Sequence, residues 1–311
     1  MKIVALTGGV GGAKLADGFA QLLPPENLTI IVNTGDDFEH IGLHISPDLD
    51  TVCYTLAGLA NPETGWGRRE ETFQAWENLR ALGGLDWFRL GDRDLATHIE
   101  RTRRLREGQV LSIITRDFCC AWNVRYSILP MSNQSVRTLV DTIEDGELAF
   151  QEYYVHRKCE PKVKGFRFAG INKARAAPGV LEAIEQADAV VFCPSNPWVS
   201  IDPILAVAGI RSAIAVKLVV AVSPIIGGQT VKGPAAKMFA ELGIQSSALA
   251  VAHHYDTILS GFLLDKVDAN LAQKISIPTR VTNIIMKDQD DRRRLAQDVL
   301  NLIQILQNAV P

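Results

Sequence analysis

The sequence predicts an α/β fold: a doubly wound, mostly parallel, Rossmann-like sheet with a helical subdomain inserted into it. Three observations predict it. The chain opens on a short apolar run, residues 2–7, which breaks into Gly8-Gly9-Val10-Gly11-Gly12 and resumes with apolar residues 15, 16, 19, 22 and 23 at helical spacing. Apolar runs at 28–32, 189–193 and 218–222 are separated by helical patterns and end in Asn, Asp, Ser, Pro or Gly. After the second run, residues 52–122 read as a helical stretch, far longer than the roughly dozen residues a parallel crossover needs.

Composition bounds the function. The chain has 311 residues, 47% of them hydrophobic and 22% charged, enough for the full core of one α/β domain over residues 1–311. A net charge of −3 argues against a nucleic-acid binder, which carries a strong basic excess. No apolar run approaches the ~18 residues of a membrane span, and the first residues are a core strand without a signal-peptide layout, so a cytoplasmic protein is expected. Cys53, Cys119, Cys120, Cys159 and Cys193 are scattered and odd in number, and lack C-x-x-C spacing. Reduced thiols are expected, with neither a disulfide framework nor a zinc site.

The elements follow in order. Pro24-Pro25 stops the first helix, and the strand 28–32 runs into Asn33-Thr34-Gly35-Asp36-Asp37. A loop carrying His40, His44, Asp48 and Asp50 leads to a helix at 51–59. Residues 68–82 form an amphipathic helix with Phe73, Trp76 and Leu79 on one face, ended by Gly83-Gly84. Helices 95–108 and 109–122 complete the insertion. The period then changes, predicting strands at 126–131, 136–141, 148–155 and 164–168 and a helix at 180–186. Beyond residue 188, strands are expected at 189–193, 218–222, 248–253 and 280–286, with helices at 235–242 and 292–306.

Several strand ends carry candidate chemistry. Strand, Gly-rich turn and helix together aim bare backbone N–H groups at an anion, so Gly8, Gly9, Gly11 and Gly12 are candidate phosphate binders; the plainer alternative is a tight turn with no ligand. The motif is not a Walker A loop, because Lys14 lies between Ala13 and Leu15, nor a full dinucleotide fingerprint, because Lys14 takes its sixth place. In a parallel sheet this turn lies beside Asn33–Asp37, making Asn33 and Asp36 candidates. Asp48 and Asp50 could cap the following helix, or hold a divalent ion beside phosphates, as Mg²⁺ prefers one or two carboxylates plus substrate oxygens. His40 and His44 could join them as transition-metal ligands, but no regular element fixes their spacing. Trp87 and Phe88, beside Arg89, could stack a flat ligand or fill a helix corner. Ser195 and Asn196 follow the strand 189–193, and Gly227-Gly228, with Lys232 nearby, forms a second phosphate candidate. The residues alone reach as far as a nucleotide- or phosphate-using enzyme.

Six stretches occur together: Gly8-Gly9-Val10-Gly11-Gly12-Ala13-Lys14-Leu15, Asn33-Thr34-Gly35-Asp36-Asp37, Ser46-Pro47-Asp48-Leu49-Asp50-Thr51, Leu90-Gly91-Asp92-Arg93-Asp94, Ser195-Asn196-Pro197 and Pro224-Ile225-Ile226-Gly227-Gly228. In this order the chain resembles the CofD family, the 2-phospho-L-lactate transferases of coenzyme F420 biosynthesis. The resemblance implies transfer of a 2-phospholactyl or enolpyruvyl phosphate group from a lactyl- or enolpyruvyl-diphospho-guanosine. The acceptor it implies is the ribityl hydroxyl of the deazaflavin Fo, with release of GMP and a requirement for Mg²⁺. It implies a homodimer. By the family pattern Asp50 matches an active-site acid, for Mg²⁺ or hydroxyl positioning, with Asp36 and Asp48 as lesser metal candidates. Arg89 matches a residue that contacts the deazaflavin, on which Trp87 or Phe88 would stack. The Gly8–Gly12 and Gly227-Gly228 turns would hold nucleotide phosphates. A nucleotide-binding regulatory protein of the same fold is the alternative reading. An NAD(P)-linked enzyme is a weaker one, because only Asp36 or Asp37 could serve as the ribose-binding acid.

Overall fold

In the computed structural model, which describes residues 1–309, seven parallel strands form the central sheet. They are β1 (Ile3–Thr7), β2 (Leu28–Val32), β3 (Ser127–Pro130), β4 (Ala189–Phe192), β5 (Leu218–Val222), β6 (Gly261–Asp265) and β7 (Thr279–Thr282). Their spatial order is β7-β6-β5-β4-β1-β2-β3. Ile3 is in register with Leu28 on one side and with Ala189 on the other. The chain therefore winds outward from β1 in both directions, as in doubly wound sheets, and its switch point lies between β1 and β4.

Period-two side chains divide the core. Val4, Leu6, Val190, Phe192, Val219 and Ala221 face one layer. Ile3, Ala5, Ala189, Val191, Val220 and Val222 face the other, against α1 (Gly9–Ala20) and the terminal helix Gln289–Ala309. Both faces are covered, which is why these strands read as unbroken apolar runs rather than as alternation.

The stretch between β2 and β3 holds α2 (Pro47–Leu56), α3 (Gln74–Ala81), α4 (Asp92–Arg106) and α5 (Leu111–Ala121), preceded by the hairpin Phe38–His40 with Leu43–Ile45. After β3, a three-stranded antiparallel sheet is built from Arg137–Thr142, Gly146–Ala149 and Val163–Ala169. Among the described residues, no helix is long and apolar enough to cross a membrane.

Two expectations are corrected, and one strand is added. Residues 248–253 are not a strand but the helix Ala248–His254, begun by Ser247, whose Oγ accepts from Ala250 N at 3.1 Å; an alanine-rich run after a serine cap favours helix. The strand in that region is β6, whose Phe-Leu-Leu run was overlooked. The strand expected at 148–155 ends at Ala149, and Glu152–His156 is a wide helical turn.

Candidate functional site

At the switch point, α1 begins at Gly9, so the glycine run is the helix's own first turn. Gly9 has φ +65°, a conformation that costs glycine nothing and strains other residues. The neighbouring glycines let parts of the same chain approach. A Cβ on Gly12 would collide with Thr7 Oγ1 and Ser195 Oγ, and one on Gly11 would lie 2.5 Å from Pro194 O. Ser195 Oγ donates to Gly8 O at 2.8 Å and accepts from Gly8 N at 3.2 Å, joining the ends of β1 and β4.

A cavity of about 650 Å³ opens over these strand ends. Gly8, Gly9, Gly11, Asp36, Asp48, Asp50, Trp87, Phe88, Arg89, Ser195, Asn196 and Lys232 all line it, so the fold gathers most of the sequence candidates. Gly12 and Asn33 lie in the packing behind it. Asn33 is spent on structure: its Nδ2 donates to Asp48 Oδ2 at 2.9 Å, to Val199 O at 3.1 Å and to Asp36 Oδ1 at 3.3 Å, and its Oδ1 accepts from Gly35 N at 2.8 Å. The Gly227-Gly228 turn does not reach the cavity, and Gly227 N already donates to Asp268 Oδ2 at 2.9 Å. That bond commits one of the two N–H groups of the turn.

The acids fall into two groups. Asp36 and Asp48 are buried beside the glycine turn, and among the described residues no cationic side chain is paired to them. Burial, reinforced by Asp48 and Asp37, pushes Asp36 well above the usual carboxylate range despite a hydrogen bond from Gln151. Burial pushes Asp48 up to about 7, against hydrogen bonds from Asn33 and from the Gly9 backbone N–H. These two oxygen-donor groups, buried without a counter-ion, suit a hard divalent cation. Neither Asp48 nor Asp50 is a helix cap. Both lie in the first turn of α2, after Ser46 at the cap and Pro47.

Asp50, the leading metal candidate from the sequence, has another partner. Arg101 on α4 holds both of its oxygens, Nη1 donating to Oδ2 at 3.0 Å and Nη2 to Oδ1. Burial raises the Asp50 carboxyl, while the Arg101 guanidinium opposes it. His98 Nδ1 lies 3.2 Å from Arg101 Nη1, and His98 Nε2 lies 3.3 Å from Asp94 Oδ1, which accepts from Tyr54 OH at 2.7 Å. Burial would raise Asp94, but the His98 contact and the Tyr54 hydrogen bond win and hold it low. Asp50, Asp94 and His98 could together offer a ligand set, yet a cation there would face the Arg101 guanidinium 3.0 Å from Asp50. Asp36 and Asp48 are therefore better placed than Asp50 to hold a metal.

The remaining wall is aromatic. Trp87 packs edge-on to His40 and stacks with His156 at 5.2 Å, and Phe88 meets Phe38 edge-on at 4.8 Å. Burial lowers the His40 imidazole, and its place in this cluster leaves it out of any metal set. Phe150 and Tyr154 stack on each other at 5.6 Å and also line the cavity. Arg89 is exposed, with its guanidinium 3.6 Å from the Phe73 ring centroid. At the mouth Lys232 donates to Thr64 O at 2.6 Å. Beyond it lies a smaller cavity of about 140 Å³ that shares Gly11 and Asn196 with the larger one and is lined by Lys14, Thr230 and residues 284–286. Lys14 donates to Met286 O at 2.7 Å, and burial lowers its pKa.

The sequence model of the family described as 2-phospho-L-lactate transferase CofD matches residues 3–304. The chain belongs to the CofD family. It is 46% identical to a phosphoenolpyruvate transferase of Streptomyces griseus, over 98% of this chain and 99% of the relative. It is 38% identical to a 2-phospho-L-lactate transferase of Methanococcus maripaludis, over 97% and 98%. A solved structure of a UPF0052-family protein from Bacillus halodurans superposes with a TM-score of 0.64 at 17% identity, over 96% of this chain and 98% of that one, a likeness of fold. In this CofD chain, sequence reasoning passed over Tyr54, His98, Arg101 and Tyr154. The signal for two of them was present: Asp94, His98 and Arg101 are spaced by four and three, so one face of a largely charged helix carries three buried polar groups.

Proposed function

We propose that this chain transfers an enolpyruvyl phosphate or 2-phospholactyl group from the matching diphospho-guanosine donor to the ribityl hydroxyl of the deazaflavin Fo, releasing GMP, in coenzyme F420 biosynthesis. One observation carries the reading. A single cavity joins a glycine turn at a nucleotide-type switch point, a pair of buried carboxylates without a counter-ion, and an aromatic wall. The enolpyruvyl donor is the first choice, because the relatives at 40–46% identity are named phosphoenolpyruvate transferases and those at 36–38% are named 2-phospho-L-lactate transferases. A regulator without chemistry would have no use for an acidic floor beside an aromatic wall.

The roles follow from placement. The first turn of α1, beyond the Gly9 N–H already given to Asp48, orients the diphosphate through backbone donors. The smaller cavity, with Lys14 at its edge, takes the guanine. Asp36 and Asp48 would hold Mg²⁺, which when bound supplies charge neutralisation on the diphosphate. Asp50 accepts a hydrogen bond from the ribityl hydroxyl and so sets its direction of approach. Trp87, Phe88 and Tyr154 hold the deazaflavin rings, with Arg89 at the rim. The working unit is a homodimer in the cytoplasm, for which light scattering of the purified protein is the check on assembly.

The test is incubation with Fo, MgCl₂ and each donor, followed by mass analysis. The expected product is the Fo phosphodiester, dehydro from the enolpyruvyl donor, together with GMP. Binding of GDP with no turnover of either donor and no binding of Fo would overturn the reading.

A further inference from the structure

The polar floor of the cavity is assembled from two helices that the chain order keeps far apart. Asp50 is on α2 and Arg101 on α4, separated by 51 residues. Both side chains are almost fully buried, at 7% and 2% exposure, and the guanidinium meets the carboxylate as a two-pronged fork. A carboxylate free to turn would need neither a planar fork nor burial. Behind the fork, His98 Nδ1 sits 3.2 Å from Arg101 Nη1. In the tautomer that this contact requires, Nδ1 accepts from Arg101 and the proton stays on Nε2, which lies 3.3 Å from Asp94 Oδ1 without making a hydrogen bond. Asp94 is fixed in turn by Tyr54 OH at 2.7 Å. Asp50, Tyr54, Asp94 and His98 all reach the cavity surface, whereas Arg101 does not line it.

We infer that Arg101, backed by His98, is the positioning residue of Asp50: it holds one edge of the carboxylate so that the remaining lone pairs point at the acceptor hydroxyl in the cavity. This rests on the transferase reading above. Arg101 touches no substrate. Its effect reaches the reaction through the orientation of Asp50, and the α2–α4 joint that it makes fixes the depth of the floor.

The experiment compares R101M, R101K, H98A, H98Q, D50N and the double variant D50N/R101M in steady-state kinetics, with the donor and the deazaflavin varied separately. R101M is expected to lose about a hundredfold in kcat, the scale of a misplaced catalytic contact, with the KM for the donor within about twofold of wild type. R101K, which keeps the charge and one contact, recovers about tenfold of that loss. H98Q retains an acceptor for Arg101 and outperforms H98A. D50N/R101M is no slower than D50N, because without the Asp50 anion nothing is left to orient. The double variant also guards against a misfolded R101M, since replacing both partners of a buried pair is tolerated far better than removing one. The inference is overturned if R101M keeps its kcat within about threefold of wild type, or if D50N/R101M falls a further tenfold below D50N. Should the wild-type chain turn over neither donor, the transferase reading fails by itself and urea unfolding decides the clamp. R101M must then unfold at clearly lower urea than D50N/R101M, and equal midpoints overturn it.

Discussion

Ser195, at the end of β4, and Gly8, at the end of β1, are joined by two hydrogen bonds across 187 residues of sequence, the hydroxyl donating to the Gly8 carbonyl and accepting from its amide. Both bonds are buried, and both sit where the sheet changes its direction of winding.

S195A removes both bonds and leaves the buried Gly8 N–H without a partner, while the Gly8 carbonyl, at the cap of α1, keeps its helical bond. Unfolding in urea is expected to show a loss of about 2 kcal/mol, the scale for such an orphaned group. GDP affinity is expected to fall with it, because the first turn of α1 loses its brace. Calorimetric titration with GDP checks the second part, and unchanged affinity would mean that the turn is braced by packing alone.

G12A introduces a methyl group where Thr7 Oγ1 and Ser195 Oγ already lie. Overpacking of this kind costs about 1–3 kcal/mol and moves backbone. The expected outcome is a lower melting temperature together with lost nucleotide binding. If nucleotide affinity survives the substitution, the turn is not the phosphate site.

With Asp48 holding Mg²⁺ as proposed, metal binding depends on pH. Its folded pKa, about 7, lies above the ordinary carboxylate value of 3.8, so its contribution to stability is complete below about pH 4 and is lost as pH rises toward 7. Asp36 is shifted in the same direction. The metal-free protein should therefore melt at a lower temperature at pH 8 than at pH 5.5 through these groups. MgCl₂ should restore more at pH 8, above the Asp48 pKa of about 7. D48N should flatten the pH dependence and abolish the Mg²⁺ shift. Equal Mg²⁺ shifts for wild type and D48N in scanning fluorimetry would remove Asp48 from the metal site.

Trp87 is half-buried in a cluster with Phe38, His40, Phe88 and His156, so one of its faces is already covered. W87A is expected to raise the KM for Fo about tenfold, the loss of one aromatic contact, and to leave the KM for the donor unchanged. If the KM for Fo does not move, Trp87 serves the cluster rather than the ligand, and Tyr154 becomes the stacking candidate.

Much of the sheet was legible because burial on both faces writes a strand as an apolar run: β1, β2, β4 and β5 announce themselves this way. The helix Ala248–His254 was misread because a short apolar run carries no period long enough to separate strand from helix, and its serine cap was passed over. The glycines were legible as a turn, but their reason was not. Gly12 is required by Thr7 and Ser195, and the latter is adjacent only after β4 has paired with β1.

The same division holds for the site. By itself the sequence determined that acids, glycines and small polar residues end the parallel strands, because strand ends at the crevice are fixed by order along the chain. Only the tertiary structure decided which acid is free. Asp48 and Asp50 are two residues apart on one helix, yet Asp48 turns to the glycine turn and Asn33 while Asp50 turns to Arg101. A carboxylate's charge state and role depend on what lies within a few ångströms of it, and that is set by how α2 packs between α1 and α4, a through-space fact that no local pattern encodes.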